Sequence, residues 1–302
     1  MCSLSQSGLH SMDRIWNKQR CFNMQNFNLK ERAKEQLIIC AHRGVWGGNI
    51  PCNTITSYDI AINQGADMIE LDVTASADGE LFVFHPCMET RQLNLHDVDI
   101  RKLPADEVKK LHYANLDGFQ TSETILLLDD VLEHLKGKCF INVDKFGDNP
   151  ALIIQKIKKH NIADQIVLKS NAQKEVLDMM ETYAPDLQYL AIISGKPETH
   201  EMLMKRNLNY VGLELVFKDD FSPLVSDEFL HRVHEDGKLL WGNGILFDYK
   251  RPLAGVHSDD TALKGDPDLG WGYFVRKGFD IIQTDWPLAL SHYLEQTNQR
   301  KR

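Results

Sequence analysis

The sequence predicts one α/β domain folded as a parallel (β/α)8 TIM barrel, and three observations lead there. Eight short apolar runs recur near residues 38–41, 68–73, 139–144, 166–169, 189–193, 210–215, 238–242 and 280–284. They read as strands covered on both faces. Helix-compatible stretches separate them, at 54–64, 129–135, 151–160, 173–183, 197–206, 227–235 and 269–277, which is the alternation of a parallel barrel. No glycine-rich phosphate turn follows the first run, so an open dinucleotide-binding sheet is the weaker alternative. The length of 302 residues suits a single barrel of about 250 residues with additions.

The elements follow in order. The first 37 residues read as an arm, with 29–36 a short polar helix beneath the barrel. Residues 38–294 form the barrel domain, and 295–302 a tail whose Arg300-Lys301-Arg302 is solvated. Asn53 or Thr54 caps the first barrel helix, Ile55, Tyr58 and Ile62 form its apolar stripe, and Gly65 sits at the C′ position. Ala77-Asp78-Gly79 is a hairpin signal that folds 81–84 back on the second strand. The stretch that follows, about 86–128, is an insertion of the kind that shapes a site or lid.

Composition narrows the function. Hydrophobic content of 43% and charged content of 25% are those of a globular protein. The formal charge of −9 argues against nucleic acid, whose phosphates recruit Lys and Arg, and against adsorption to an anionic membrane. No apolar stretch approaches the roughly 20 residues of a membrane span, so stable membrane insertion is not expected. Residues 1–34 lack an apolar signal core. The six cysteines show no CxxC spacing and read as reduced thiols, Cys52 and Cys87 among them. A cytoplasmic location is the expectation.

The chemistry lies at the strand ends. Glu70 and Asp72 are two apart on one strand and share a face. His42 and Arg43 end the first strand, and His85 ends the 81–84 run. Two adjacent carboxylates repel unless cationic partners or a hard divalent cation separate them, and oxygen donors suit Mg²⁺ or Ca²⁺. Spacing alone leaves a structural salt-bridge pair equally open; the flanking histidines favour one divalent metal ion. Asp144, ending the third strand, is the candidate third ligand. His42 and His85 suit proton transfer near neutrality, and Arg43 offers a fork for phosphate or a partner for Glu70 or Asp144. The ten other histidines are background.

These residues resemble the glycerophosphodiester phosphodiesterase family. His42-Arg43-Gly44, Pro51-Cys52-Asn53-Thr54, Glu70-Leu71-Asp72 and His85-Pro86 stand where the family carries His-Arg-Gly, Pro-Glu-Asn-Thr, Glu-x-Asp and His-Asp. Residues 278–287, Gly-Phe-Asp-Ile-Ile-Gln-Thr-Asp-Trp-Pro, match its closing strand. The resemblance implies metal-dependent hydrolysis of a small-molecule glycerophosphodiester to glycerol 3-phosphate and an alcohol. Glu70, Asp72 and Asp144 would hold the metal, His42 and His85 would exchange protons with His85 as the acid, and Arg43 would bind phosphate.

This chain departs from the family pattern at four places. Cys52 replaces a carboxylate at the mouth and Pro86 an aspartate beside His85. Asp144 stands for the family's Glu, and Phe146 for the Lys two residues later. Lys145 is expected on the opposite face, so Lys169 is the candidate for the missing cation and a phosphate contact. Trp286 is the foremost aromatic for the substrate pocket, ahead of Trp241 and Trp46. The alternatives are a lysophospholipase D-like enzyme, for which the insertion looks insufficiently apolar, and a non-catalytic phosphate-binding or scaffold protein. Retention of both histidines and all three carboxylates favours activity. The oligomeric state is left open.

Overall fold

The computed structural model describes residues 27–300; most of the expected arm, Cys2, Cys21, Lys301 and Arg302 lie outside them. Eight parallel strands close into a barrel: β1 Ile38–His42, β2 Met68–Ala75, β3 Phe140–Asp144, β4 Ile166–Asn171, β5 Gln188–Ser194, β6 Tyr210–Val216, β7 Leu239–Asn243 and β8 Ile281–Thr284. β1 pairs with both β2 and β8, which closes the ring. All eight expected strands are present.

One main helix follows each strand. The first, Ile55–Asn63, is capped by Thr54, whose side chain accepts from Ser57 N while Ser57 Oγ accepts from Thr54 N. Sequence periodicity missed the last, Pro287–Gln296. Its signal was proline in the first turn, where a missing N–H costs nothing. Leu81–Val83 folds back antiparallel on β2 in the register Val73↔Val83, as the hairpin signal requires. No helix among the described residues is long and apolar enough to cross a membrane.

The barrel interior has two layers of different chemistry. The lower is apolar, with Ile38, Cys40, Met68, Phe140, Val167, Leu190, Val211, Leu239, Trp241 and Ile281. Leu29 of the short helix Leu29–Glu35 plugs it from below. Fully burying such a side chain contributes about 1.5–3 kcal/mol. The upper layer is polar and lies towards the C-terminal strand ends, where barrels build active sites.

One expectation about the tail is corrected. Arg300 is buried, with Nη1 2.5 Å from Asp67 Oδ2 and Nη2 2.7 Å from Gly65 O. Asp67 also accepts from Arg32 and Gln36 of the N-terminal segment. A buried carboxylate needs such donors, so both ends of the described chain clasp the base of the barrel.

Candidate active site

Strand register assembles the site. His42 on β1 lies beside Glu70 on β2, Glu70 beside Asn142 on β3, and two residues further Asp72 lies beside Asp144. Ligand oxygens of Glu70, Asp72 and Asp144 come within 4.8 Å of one another. All three expected ligands therefore converge.

Left-handed backbone turns aim the side chains just beyond the strand ends. Arg43 has φ 57° and Gly44 φ 77°. A Cβ on Gly44 would lie 2.5 Å from Ser57 Oγ and 2.7 Å from Ser57 backbone, so only glycine lets the turn pack on the first helix. Asn53, Cys87 and Lys145 also have positive φ, at 59°, 66° and 58°. Such conformations cost free energy and persist where the surroundings hold them.

Lys145 corrects the sequence reading. The strand ends at Asp144, and the left-handed turn brings Lys145 Nζ to 2.8 Å from Asp144 Oδ2 rather than to the opposite face. Lys169 lies deeper, 2% exposed. Its Nζ is 2.9 Å from Glu214 Oε2, 3.3 Å from Gln283 Oε1 and 4.6 Å from the Trp241 ring centroid. The cation touching Asp144 is thus Lys145, and Lys169 is committed beneath the site.

Neighbours tune the carboxylates unequally. Arg43 Nε lies 2.7 Å from Asp72 Oδ2, and Asn53 Nδ2 donates to the same oxygen at 3.3 Å. Asp72 Oδ1 is buried with no hydrogen-bond donor. Burial and the nearby Asp72 charge push Glu70 up to about 7. Burial would raise Asp144 too, but Lys169 and then Lys145 outweigh it and bring it down to about 2. A clustered, oxygen-only donor set with an orphaned buried oxygen fits a hard divalent cation.

Both histidines present the same nitrogen. His42 Nδ1 is 2.7 Å from Asp285 Oδ1, and His85 Nδ1 is 2.8 Å from its neighbour's carbonyl, Pro86 O. Each partner accepts, so each Nδ1 carries the proton and each Nε2 is left for chemistry. His85 Nε2 stands 4.0 Å from Asp72 Oδ1. The proline that replaces aspartate thus still orients the ring, through its backbone oxygen. Burial lowers the His85 pKa below the ordinary imidazole value.

A cavity of about 250 Å³ opens beside His42 and Arg43, walled by Trp46, Ile50, Pro51, Cys52, Met88 and Phe247 among others. The insertion supplies Met88, Tyr113, Ala114 and Leu116 together with Arg91, Gln92 and Asn115, so its side of the mouth is mixed apolar and polar. Trp286 is half exposed and outside this lining, and Trp241 is fully buried in the barrel. Phe247 is the aromatic at the reacting end, edge-on to His42 with centroids 5.2 Å apart. Cys52 is a buried thiol that accepts from Gln92 Nε2 at 3.3 Å and is pushed up to about 12 by burial.

Sequence reasoning gave no functional role to Asp285, Asn53 or Glu214. Glu214 carried a usable signal, a lone charge inside the apolar run 211–216, since a buried charge demands a partner. Asp285 carried none beyond its place in the closing motif.

Comparison with known proteins adds an independent line. Residues 42–242 match the Glycerophosphoryl diester phosphodiesterase family. A glycerophosphodiester phosphodiesterase of Caldanaerobacter subterraneus subsp. tengcongensis is 31% identical over 159 residues, covering 50% of this chain and 64% of that relative. The match thus spans under two thirds of that relative's length. Lysophospholipase D GDPD1 of Mus musculus is 23% identical over 290 residues, 88% of this chain and 89% of that one. In fold, the chain resembles a crystal structure of a glycerophosphoryl diester phosphodiesterase from Parabacteroides distasonis. The TM-score is 0.71 at 16% identity, covering 90% of this chain and 93% of the other.

Proposed function

This chain belongs to the glycerophosphoryl diester phosphodiesterase family, and on that premise we propose that it hydrolyses glycerophosphodiesters to glycerol 3-phosphate and an alcohol. The observation that carries the reading is the convergence of Glu70, Asp72 and Asp144 with two histidines whose Nε2 atoms make no hydrogen bond among the described residues. Mg²⁺ or Ca²⁺ held by those three carboxylates would supply charge neutralisation and Lewis-acid polarisation of the phosphate.

The side chains divide the remaining work. Arg43, its Nε held by Asp72, keeps its terminal amino groups for a phosphate oxygen. His42 accepts at Nε2 the proton of the attacking oxygen, and Asp285 stabilises the imidazolium as it forms. That oxygen is either water or the substrate's own vicinal hydroxyl, the latter giving a cyclic phosphate that water then opens. His85 protonates the departing alkoxide; burial makes its charged form the readier donor. Lys169 and Lys145 hold Asp144 ionised without touching substrate.

The test is release of glycerol 3-phosphate from glycerophosphocholine and glycerophosphoethanolamine with Mg²⁺, Ca²⁺ or EDTA, beside His42→Ala. Metal-dependent release that disappears in His42→Ala supports the reading. Equal release in EDTA, or in the variant, overturns it.

One observation favours a second reading, a lysophospholipase D-like activity. The wall contributed by Met88, Tyr113 and Leu116, with Trp46 and Phe247, can take an alkyl chain beside the reacting centre. Cleavage of lysophospholipids in preference to the glycerol diesters would select it.

A further inference from the structure

We propose that the cavity beside His42 selects leaving alcohols that are neutral or anionic and disfavours cationic headgroups, with Arg91 and Cys52 setting that preference. The inference rests on the phosphodiesterase reading and adds the substrate class.

The charges lining the cavity are unbalanced. Arg43 is paired with Asp72, and Asp285, the carboxylate of the lining, accepts from His42 Nδ1 at 2.7 Å, which leaves Arg91 as the lining cation without a counter-ion. Arg91 lies on the short helix Glu89–Leu93, is exposed, and makes no ion pair or hydrogen bond among the described residues. Its neighbour Glu89 does not neutralise it: Glu89 is buried and its Oε1 accepts from Ile100 N at 3.1 Å.

The family carries a carboxylate where this chain has Cys52. Here a buried, uncharged thiol accepts from Gln92 Nε2 at 3.3 Å. The thiol offers an ammonium group no anionic partner at that point of the lining. An aromatic face could substitute by cation–π attraction. Of the aromatics lining the cavity, Phe247 already carries the Arg43 guanidinium 5.5 Å from its centroid and Tyr113 is buried, which leaves Trp46. A choline or ethanolamine group entering the cavity meets the unpaired Arg91 guanidinium, and the carboxylate of the lining, Asp285, is already hydrogen-bonded to His42. A hydroxyl or carboxylate meets Arg91 as a free donor, with the second amide N–H of Gln92 and of Asn115 beside it. The first N–H of each is given to Cys52 Sγ and Asn49 Oδ1 respectively.

The experiment compares kcat/KM for glycerophosphoglycerol and glycerophosphocholine in the wild type, Arg91→Gln and Arg91→Glu at low ionic strength. Arg91 is exposed, so both variants keep the fold. Equilibrium binding of the same two esters, measured by calorimetry in EDTA, gives a readout independent of turnover. The neutral ester should be favoured roughly five- to tenfold, the scale of one solvent-screened charge. Arg91→Glu should erase or invert that ratio, and 0.5 M salt should shrink it. Choline ester used or bound as well as the neutral one, or a ratio unmoved by Arg91→Glu, overturns the proposal. If neither ester is hydrolysed, the phosphodiesterase reading falls, and the binding ratio still decides this one by the same criterion.

Discussion

His42 Nδ1 and Asp285 Oδ1 stand 2.7 Å apart although 243 residues separate them in the chain. Barrel closure makes the contact. β1 and β8 pair in parallel with Ala41 opposite Thr284, so the next residue of each strand is brought to the same height. Asp259 then fixes the turn: its Oδ1 accepts from Thr284 Oγ1 and its Oδ2 from Asp285 N, each at 2.8 Å.

Removing the Asp285 charge should therefore slow turnover without unfolding the protein. Asp285→Asn keeps an acceptor for the ring but loses stabilisation of the imidazolium, and kcat should fall about 10- to 100-fold with KM little changed. Steady-state kinetics on the folded variant check this. Wild-type kcat in both Asp285→Asn and Asp285→Ala would remove Asp285 from the reaction.

Three carboxylates held together repel until a cation arrives, so metal should stabilise the fold as well as the reaction. Mg²⁺ or Ca²⁺ at a hundred times its Kd should add about 2.7 kcal/mol by mass action. The melting temperature should rise accordingly. Asp72→Asn should lose most of that rise, because it removes the charge from the orphaned oxygen. A metal-independent melting temperature in the wild type counts against the site.

Acid should loosen one particular seam. Burial would raise Asp129, but Lys156, Lys159 and His160 overcome it and hold the carboxyl below its ordinary range. A folded-state pKa below the unfolded one gives stability that is present above about pH 4 and is lost as pH falls through the folded value. The cluster joins the helices Leu128–Leu135 and Pro150–His160 and is partly wet, which limits it to about 1 kcal/mol. Urea melts of Asp129→Asn should lie below the wild type at pH 7, by a gap that narrows as pH falls from about 4 to about 2. A constant gap across that range would refute the assignment.

Gly44→Ala should destabilise by roughly 2 kcal/mol or more, combining a left-handed backbone with a Cβ 2.5 Å from Ser57 Oγ. Activity should fall further than stability, since the same turn positions Arg43. Chemical denaturation with parallel assays separates the two, and an unchanged Arg43-dependent rate would show the turn to be tolerant.

Much of this was legible in the residue order. Apolar periodicity marked every barrel strand, and period two put Glu70 and Asp72 on one face. Both follow from local geometry, which a sequence carries directly. The tertiary structure alone decided the rest. Lys145 turns back onto Asp144 because the strand stops there with positive φ, and Lys169 is claimed by Glu214 from two strands away. Arg300 is drawn onto Asp67, and the insertion folds a wall of mixed apolar and polar side chains onto the mouth. These are contacts between distant segments, created by the stagger and closure of the barrel. Residue order lists the groups that can meet, and packing in three dimensions selects which ones do.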